Sequence, residues 1–200
     1  MKKIITIGRQ CGSGGHTIGK MVAERLGIPF YDKEIIQKVA EETGLSEETI
    51  EKEGEYSTTS ILYNIATRGI SGYNVAKNEN MLLRDQINAY QTNYIKELAE
   101  QGPCVIVGRS ADYILEDRND CVHVFIYGDL EDRMRRVETE HGVSYKDSKT
   151  HVLSRDKKRS KYYMYVTDRV WGLAENYTVC LNSSELGIER CVDIIVDCYK

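Results

Sequence analysis

The sequence lacks a long apolar run. Of its 200 residues, 41% are hydrophobic, yet no stretch approaches the roughly 18 consecutive apolar residues that a membrane-spanning helix needs. The opening apolar segment at residues 4–7 meets Gly8 and Arg9 too early for a secretory signal. We therefore expect a cytoplasmic protein with no membrane partner.

The sequence also lacks the paired cysteines that are typical of metal sites and disulfide frameworks. None of its cysteines forms a C-x-x-C pair, and most lie within apolar segments. This placement favours buried free thiols, so we assign them no chemistry. The cysteines are Cys11, Cys104, Cys121, Cys180, Cys191 and Cys198.

An overall excess of positive charge is absent as well. The formal net charge is −4 at pH 7, which argues against a general nucleic-acid-binding protein. The charge is unevenly spread, because residues 155–161 hold five lysines and arginines. A solvated helix face would account for this run, and so would a basic segment that acts on a ligand.

A glycine-rich segment near the N-terminus is the strongest functional signal. Apolar residues 4–7 are followed by glycines, and then Ile18, Val22 and Leu26 recur at helical spacing. This order predicts a strand, a loop and a buried helix. Such a loop offers free N–H groups at the positive end of a helix dipole, which suits a phosphate. The residues expected to bind it are Gly12, Ser13, Gly14, Gly15, His16 and Thr17.

The loop departs from the strict phosphate-loop pattern G-x-x-x-x-G-K-[ST]. Arg9 takes the first glycine position, Gly15 takes the lysine position and His16 takes the hydroxyl position, with Thr17 one residue later. A glycine-rich turn that binds nothing is therefore the alternative. A dinucleotide-binding loop is a weaker interpretation than a phosphate site, because the third glycine of that motif is missing.

Strand and helix patterns alternate along the rest of the chain. Short apolar strands are predicted near residues 30–31, 104–107, 122–127 and 177–181, with helical periodicity between them. This alternation predicts a single α/β domain with a doubly wound, five-stranded parallel sheet flanked by helices. Residues 54–80 lack periodicity, which predicts an insert. Its tyrosines could stack on a base or form a homodimer contact, and the sequence favours neither.

A second loop, Gly108-Arg109-Ser110, directly follows a predicted buried strand. In parallel α/β sheets, ligands bind beyond the carboxyl ends of the strands. We therefore expect Arg109 to lie in the same site as the glycine loop. Its planar guanidinium would suit the phosphate of an acceptor molecule.

Four segments together resemble the cytidylate kinase-like family of phosphate-loop nucleoside monophosphate kinases. They are residues 7–15, 28–36, 105–110 and 155–159. The resemblance extends over the whole chain and implies a P-loop kinase fold with an insert at about 54–80 and a mobile lid at about 146–165. It also implies phosphoryl transfer from ATP to a nucleoside monophosphate, most readily a pyrimidine nucleotide, with Mg²⁺ bridging the phosphates. Such catalysis depends on positioned cations and hydrogen-bond donors.

The same resemblance implies three sets of site residues. The catalytic residues would be Arg155, Arg159 and Arg109. The ATP-binding residues would be the loop from Gly12 to Thr17 with Arg9, Arg133 and Arg136, and the hydroxyl of Thr17 would be the metal ligand. The residues on the acceptor side would be Asp32, Lys33, Lys38 and Arg109.

The chain departs from true cytidylate kinases at several of these positions. Their loop lysine is Gly15 here, their Asp-Gly-Arg-Asp motif reads Val107-Gly108-Arg109-Ser110, and the last aspartate of their Arg-Asp-x-x-Asp lid is Arg159. Base specificity therefore does not carry over, and either His16 or Arg9 would have to replace the lysine.

Two functions of different classes stay open. The first is an active kinase for a pyrimidine nucleotide or a related small phosphate acceptor, and the second is a non-catalytic nucleotide-binding module. The lid arginines favour the first, because a protein that only binds has less use for cations directed at a transition state. The missing lysine favours the second. In both cases the partner is a small-molecule nucleotide and not a nucleic acid.

Overall fold

A computed structural model describes residues 3–53 and 83–200. Strands and helices alternate along them, and the predicted insert at 54–80 lies outside the described residues. The strands are β1 (Ile4–Arg9), β2 (Phe30–Tyr31), β3 (Cys104–Val107), β4 (Cys121–Tyr127) and β5 (Val179–Asn182). The helices are α1 (Gly15–Leu26), α2 (Lys33–Thr43), α3 (Glu47–Glu53), α4 (Leu83–Gln101), α5 (Ala111–Ile114), α6 (Leu130–His141), α7 (Tyr145–Thr167) and α8 (Ser183–Tyr199), with a 3₁₀ turn at Ala174–Asn176.

The five strands form one parallel sheet in the order β2-β3-β1-β4-β5, which confirms the predicted architecture. β1 is central, with Ile5 opposite Val105 on one side and Val122 on the other. The chain leaves β1 toward β2 and leaves β3 toward β4, on opposite sides. The loops after β1 and β3 therefore flank the crevice where such sheets bind ligands.

Side chains of β1 alternate between two hydrophobic cores, because successive strand residues point to opposite faces. Ile5 and Ile7 pack with α1 and α8 on one face. Ile4 packs on the other face with Ile35 of α2 and Ile95 of α4. All of these isoleucines are fully buried. The two cores fix the sheet between its helical layers and thereby hold the loops at its carboxyl edge.

Helix α7 contains the predicted lid, and its C-terminal part is anchored to the rest of the protein. Tyr162 and Tyr163 are buried there. The hydroxyl of Tyr162 donates to Asn88 of α4 at 2.9 Å, and that of Tyr163 donates to Asp112 of α5 at 2.7 Å. These two bonds fix the C-terminal part of α7 against α4 and α5.

Two findings bear on the expectations drawn from composition. No helix within residues 3–53 and 83–200 is both long and apolar enough to cross a membrane. The cysteines are free thiols; Cys180 and Cys198 are half-buried, and the other four are buried.

Candidate functional site

A cleft of about 690 Å³ lies at the carboxyl edge of the sheet. It is lined by the loops after β1 and β3, the start of α2 and one face of α7. The predicted site residues that line it are Arg9, Gly12, Gly14, Gly15, His16, Thr17, Asp32, Lys33, Arg109, Arg155 and Arg159. The predicted site residues that lie outside its lining are Ser13, Lys38, Arg133 and Arg136.

The glycine loop needs its glycines for conformation and for space. Gly12 and Gly14 have φ of 74° and 77°, in the left-handed region where a Cβ is unfavourable. A Cβ on Gly12 would overlap the carbonyl oxygen of Arg133, and one on Gly15 would lie 2.5 Å from the Cβ of Arg9. Larger residues at these positions would therefore displace the loop.

Several carbonyl groups of the loop accept hydrogen bonds from side chains. Arg159 Nη1 donates to the carbonyl of Arg9 at 3.1 Å, and Arg136 Nη1 donates to that of Gly12 at 2.7 Å. The hydroxyl of Ser183 donates to the carbonyl of Ser13 at 2.7 Å. Arg136 thus holds the loop from outside the lining of the cleft, and so does the buried Arg133, whose Nη1 donates to the carbonyl of Cys11 at 3.3 Å. Ser13 is fully buried within the loop.

The N–H groups of the loop are left available by this arrangement. Those of Gly12, Gly14, Gly15, His16 and Thr17 donate to no acceptor within the residues that the structure describes. Several free N–H groups at a helix N-terminus form a binding site for an anion such as a phosphate.

The side chain of Arg9 extends from Gly15 of the glycine loop to the loop after β3. Its guanidinium lies over Gly108, since a Cβ on that glycine would overlap Nη1 of Arg9. Burial and the nearby charges of Arg159 and Arg109 lower the pKa of Arg9 to about 9, although Asp32 acts in the opposite direction. The charged form of Arg9 is thus held where an additional anion would stabilise it.

Asp32 joins two of the predicted site residues. Its Oδ1 lies 3.2 Å from Arg9 Nη2, and its Oδ2 lies 2.7 Å from His16 Nδ1. The His16 ring also meets Phe30 edge-on, with 5.3 Å between the ring centroids. Asp32 therefore positions both residues that could replace the loop lysine.

The loop after β3 has an unusual backbone. Gly108, Arg109 and Ser110 have φ of 78°, 57° and 51°, so two non-glycine residues adopt left-handed conformations that are unfavourable by roughly 1–2 kcal/mol each. Gln91 Nε2 donates to the carbonyl of Arg109 at 3.3 Å. The guanidinium of Arg109 pairs with no carboxylate in the described part of the chain and lines the cleft. Strain of this kind is characteristic of functional sites.

Lys38 lies apart from the cleft, on the outer surface of α2. Its ammonium group is 3.0 Å from Glu42 and 3.5 Å from Glu41. Both glutamates lie on the same helix, three and four residues further along, where charged pairs commonly form. The structure thus brings Arg9, Arg109, Arg155 and Arg159 together without Lys38.

Two residues at the site were assigned no role from the sequence, although Asp156 lies in one of the four segments that carry the resemblance. Asp156 of α7 accepts a hydrogen bond from the N–H of Cys11 at 2.7 Å, and the buried Gln91 contacts the Arg109 loop. The available signal for Asp156 was an acid inside a basic run. For Gln91 it was a polar residue on the apolar stripe of α4, four residues from Ile87 and four from Ile95.

The cleft fits a polyphosphate better than a metal held by protein alone. Its free N–H groups and arginines suit phosphate oxygens. Within the described ranges, no group of three or more His, Cys, Asp or Glu residues could hold a metal ion. Thr17 lines the cleft. Mg²⁺ often binds through substrate phosphates, waters and one or two protein oxygens, so Thr17 would suffice beside a bound nucleotide.

Comparison with known proteins agrees with this geometry. The model of the cytidylate kinase-like family matches residues 4–185. The chain belongs to the cytidylate kinase-like family. This result confirms the resemblance read from the four segments.

Two archaeal relatives extend over nearly the whole chain. A protein of Ignicoccus hospitalis named cytidylate kinase is 23% identical over 96% of this chain and 96% of its own length. Another of that name, from Pyrococcus horikoshii, is 23% identical over 97% of this chain and 86% of its own length.

Solved structures share the fold. An uncharacterised protein from Eubacterium ventriosum is 27% identical, with a TM-score of 0.73 over 99% of this chain and 98% of that one. A shikimate kinase from Bacteroides thetaiotaomicron is 17% identical, with a TM-score of 0.54 over 98% of this chain and 97% of that one. At that identity, the second similarity shows the fold alone.

Proposed function

We propose that this protein transfers a phosphoryl group from ATP to a nucleoside monophosphate, with a pyrimidine nucleotide as the preferred acceptor. The observation that carries the proposal is the convergence, in one cleft, of the free loop N–H groups with the guanidinium groups of Arg9, Arg109 and Arg159. This combination is suited to several phosphate groups at once.

The glycine loop and Arg9 would hold the phosphates of ATP. The N–H groups of residues 12–17 would donate to phosphate oxygens, and Arg9 would supply the charge that a lysine supplies elsewhere. Arg155 and Arg159 lie on α7 across the cleft, where they would neutralise the charge that spreads over the transferring group. Mg²⁺ would supply further positive charge to the phosphates, and Thr17 would be its protein ligand.

Arg109 would hold the acceptor. It lines the cleft from the loop after β3, and no carboxylate in the described residues pairs with its guanidinium. A guanidinium can bind a phosphate through two parallel hydrogen bonds. Asp32 and Lys33 line the same cleft. The relatives named cytidylate kinase are the support for a pyrimidine acceptor.

A non-catalytic nucleotide-binding module is the second candidate, and Gly15 at the lysine position favours it. The place of Arg9 weighs against it, because this cation lines the same cleft as the glycine loop despite that loss. The basic run of α7 also weighs against a module that only binds nucleotide. Arg155 and Arg159 line the cleft, which favours a role in the site over a surface that binds nucleic acid.

ADP release across a set of acceptors tests the proposal. The full chain is incubated with ATP and Mg²⁺ and with CMP, dCMP, UMP, AMP, GMP or no acceptor. We expect ADP release that depends on the acceptor and is fastest with a pyrimidine nucleotide. Arg109→Ala should reduce it, whereas Arg190→Ala, on the exposed surface of α8, should not. ATP binding without release of ADP for any acceptor would favour the module instead.

A further inference from the structure

Asp156 connects α7 to the glycine loop. We propose that it is a positioning residue, which holds the loop and the arginines of α7 in register before a nucleotide binds. This inference rests on the proposed function for its consequence in catalysis. The structural link itself can be tested without any ligand.

The contacts form a closed arrangement of three groups. Asp156 Oδ1 accepts from the N–H of Cys11 at 2.7 Å, and its Oδ2 lies 2.5 Å from Arg133 Nη1 of α6. The same Nη1 also donates to the carbonyl of Cys11 at 3.3 Å. Both polar groups of one loop residue are thus held, one by a carboxylate and the other by its arginine partner.

The ion pair is well shielded from water. The side chain of Arg133 is 7% exposed and that of Asp156 is 14% exposed. Apolar side chains pack beside it, since Cys11 forms a buried cluster with Val137 of α6 and Val152 of α7. A buried charge that loses its partner is strongly destabilising, whereas replacing both partners by apolar residues is often neutral. Stability alone therefore does not require this pair.

The position of Asp156 on α7 shows what the ion pair adds beyond stability, namely a link between this helix and the glycine loop. Arg155 precedes it, and Arg159 follows one helical turn later and donates to the carbonyl of Arg9. Asp156 and Arg159 therefore attach the same helix to both ends of residues 9–11. These attachments would fix the separation between the free N–H groups of the loop and Arg155. Such pre-organisation lowers the free energy needed to bind a charged ligand.

Hydrogen exchange in the absence of nucleotide tests the link directly. Asp156→Asn is compared with Glu116→Gln, which neutralises another carboxylate that lies 2.5 Å from an arginine, in an exposed pair with Arg169. Within a peptide spanning residues 9–17, we expect the hydrogen-bonded amides of Gln10, Cys11 and Ser13 to exchange about tenfold faster in Asp156→Asn and at an unchanged rate in Glu116→Gln. Equal exchange in the two variants would overturn the proposal.

A double substitution separates positioning from stability. Asp156→Leu alone leaves Arg133 buried without its partner and should lower the melting temperature sharply. Arg133→Met with Asp156→Leu removes both charges and should restore most of it. We expect exchange in residues 9–17 to stay fast in the double variant and its ATP affinity, measured by calorimetry, to stay about tenfold or more below that of the native chain.

Recovery of stability, loop protection and ATP affinity together in the double variant would show that the pair only stabilises the fold. If the native chain fails to bind ATP, the proposed function fails. The exchange comparison without nucleotide would still decide whether Asp156 holds the loop.

Discussion

Arg9 Nη2 lies 3.2 Å from Asp32 Oδ1, so the last residue of β1 is joined to the residue that follows β2. The same carboxylate also holds His16, and Arg109 and Arg159 add further positive charge near Arg9. One acid thus contacts two basic side chains of the cleft. Phosphate groups would relieve the mutual repulsion of these cations.

Replacing Arg9 should separate stability from binding. Burial and neighbouring cations disfavour its charged form, so Arg9→Met should keep or raise the free energy of unfolding, by up to about 2 kcal/mol. The same change should weaken ATP binding by about tenfold or more, since it removes a charged hydrogen-bond donor. Urea denaturation and calorimetry measure the two effects. A lower stability with unchanged ATP affinity would mean that Arg9 is only the ion-pair partner of Asp32.

Substitutions at Arg109 should affect the acceptor and leave the fold intact. Arg109→Lys should already lose affinity, because an ammonium group does not offer the two parallel hydrogen bonds of a guanidinium. Arg109→Ala should lose about tenfold to a hundredfold in acceptor affinity or rate. Arg109→Gly should lose as much while raising the melting temperature, because glycine relieves the positive φ of 57°.

Acceptor kinetics and thermal melting of the three Arg109 variants provide the comparison. Unchanged kinetics with a large fall in melting temperature for Arg109→Ala would identify a structural arginine.

Much of the fold could be predicted from the sequence. The apolar run at residues 4–7, the spacing of Ile18 and Val22, and the strand at 104–107 depend on local periodicity. They predict a parallel sheet with the loops after β1 and β3 at one edge. Arg9, Arg109 and the glycine loop follow from that topology, because residues just beyond strand ends meet at the same edge.

The side-chain contacts that hold the glycine loop could not be predicted from local periodicity. Arg133 and Arg136 lie outside the lining of the cleft because α6 directs them to loop carbonyls, and that direction is set by how α6 packs against α7. Asp156 is close to Cys11 only in the folded chain, since 145 residues separate them in the sequence. Lys38 was read from the family pattern, although Glu41 and Glu42 on the same helix are its partners here.

The buried carboxyl of Asp112 should make stability depend on pH. Burial raises its pKa above the ordinary value of 3.8, while hydrogen bonds from Tyr163 and from backbone N–H groups act in the opposite direction. A raised pKa means that the folded state binds the proton more tightly than the unfolded state. The stabilisation is therefore fully present at low pH and is lost as the pH rises through the folded-state pKa.

Asp112→Asn does not titrate, so its stability relative to the native chain should increase between about pH 4 and about pH 7. Urea denaturation across this range measures the difference, with Asp117→Asn on the exposed surface as the control. A difference that stays constant with pH, or that falls as pH rises, would contradict the assigned direction.

The hydroxyl of Tyr162 should contribute to the anchoring of α7. It accepts from Gln91 Nε2 at 2.8 Å and donates to Asn88 Oδ1 at 2.9 Å, within a buried cluster. Tyr162→Phe removes both bonds and should cost about 1–3 kcal/mol of unfolding free energy. Tyr145→Phe is the matched control, because that hydroxyl donates to Glu131 at 3.3 Å on the exposed surface, and its loss should stay within about 0.5 kcal/mol. Equal losses would show that the cluster adds nothing specific.

The most direct test of the account identifies the product of the reaction. The full chain is incubated with Mg²⁺, CMP and ATP labelled at its γ-phosphate, and the labelled species are separated. The account predicts label in CDP, with UDP as the product when UMP replaces CMP, and a much smaller yield for Arg109→Ala. Label that remains in ATP, or that appears only as inorganic phosphate with every acceptor, would contradict phosphoryl transfer to a nucleoside monophosphate.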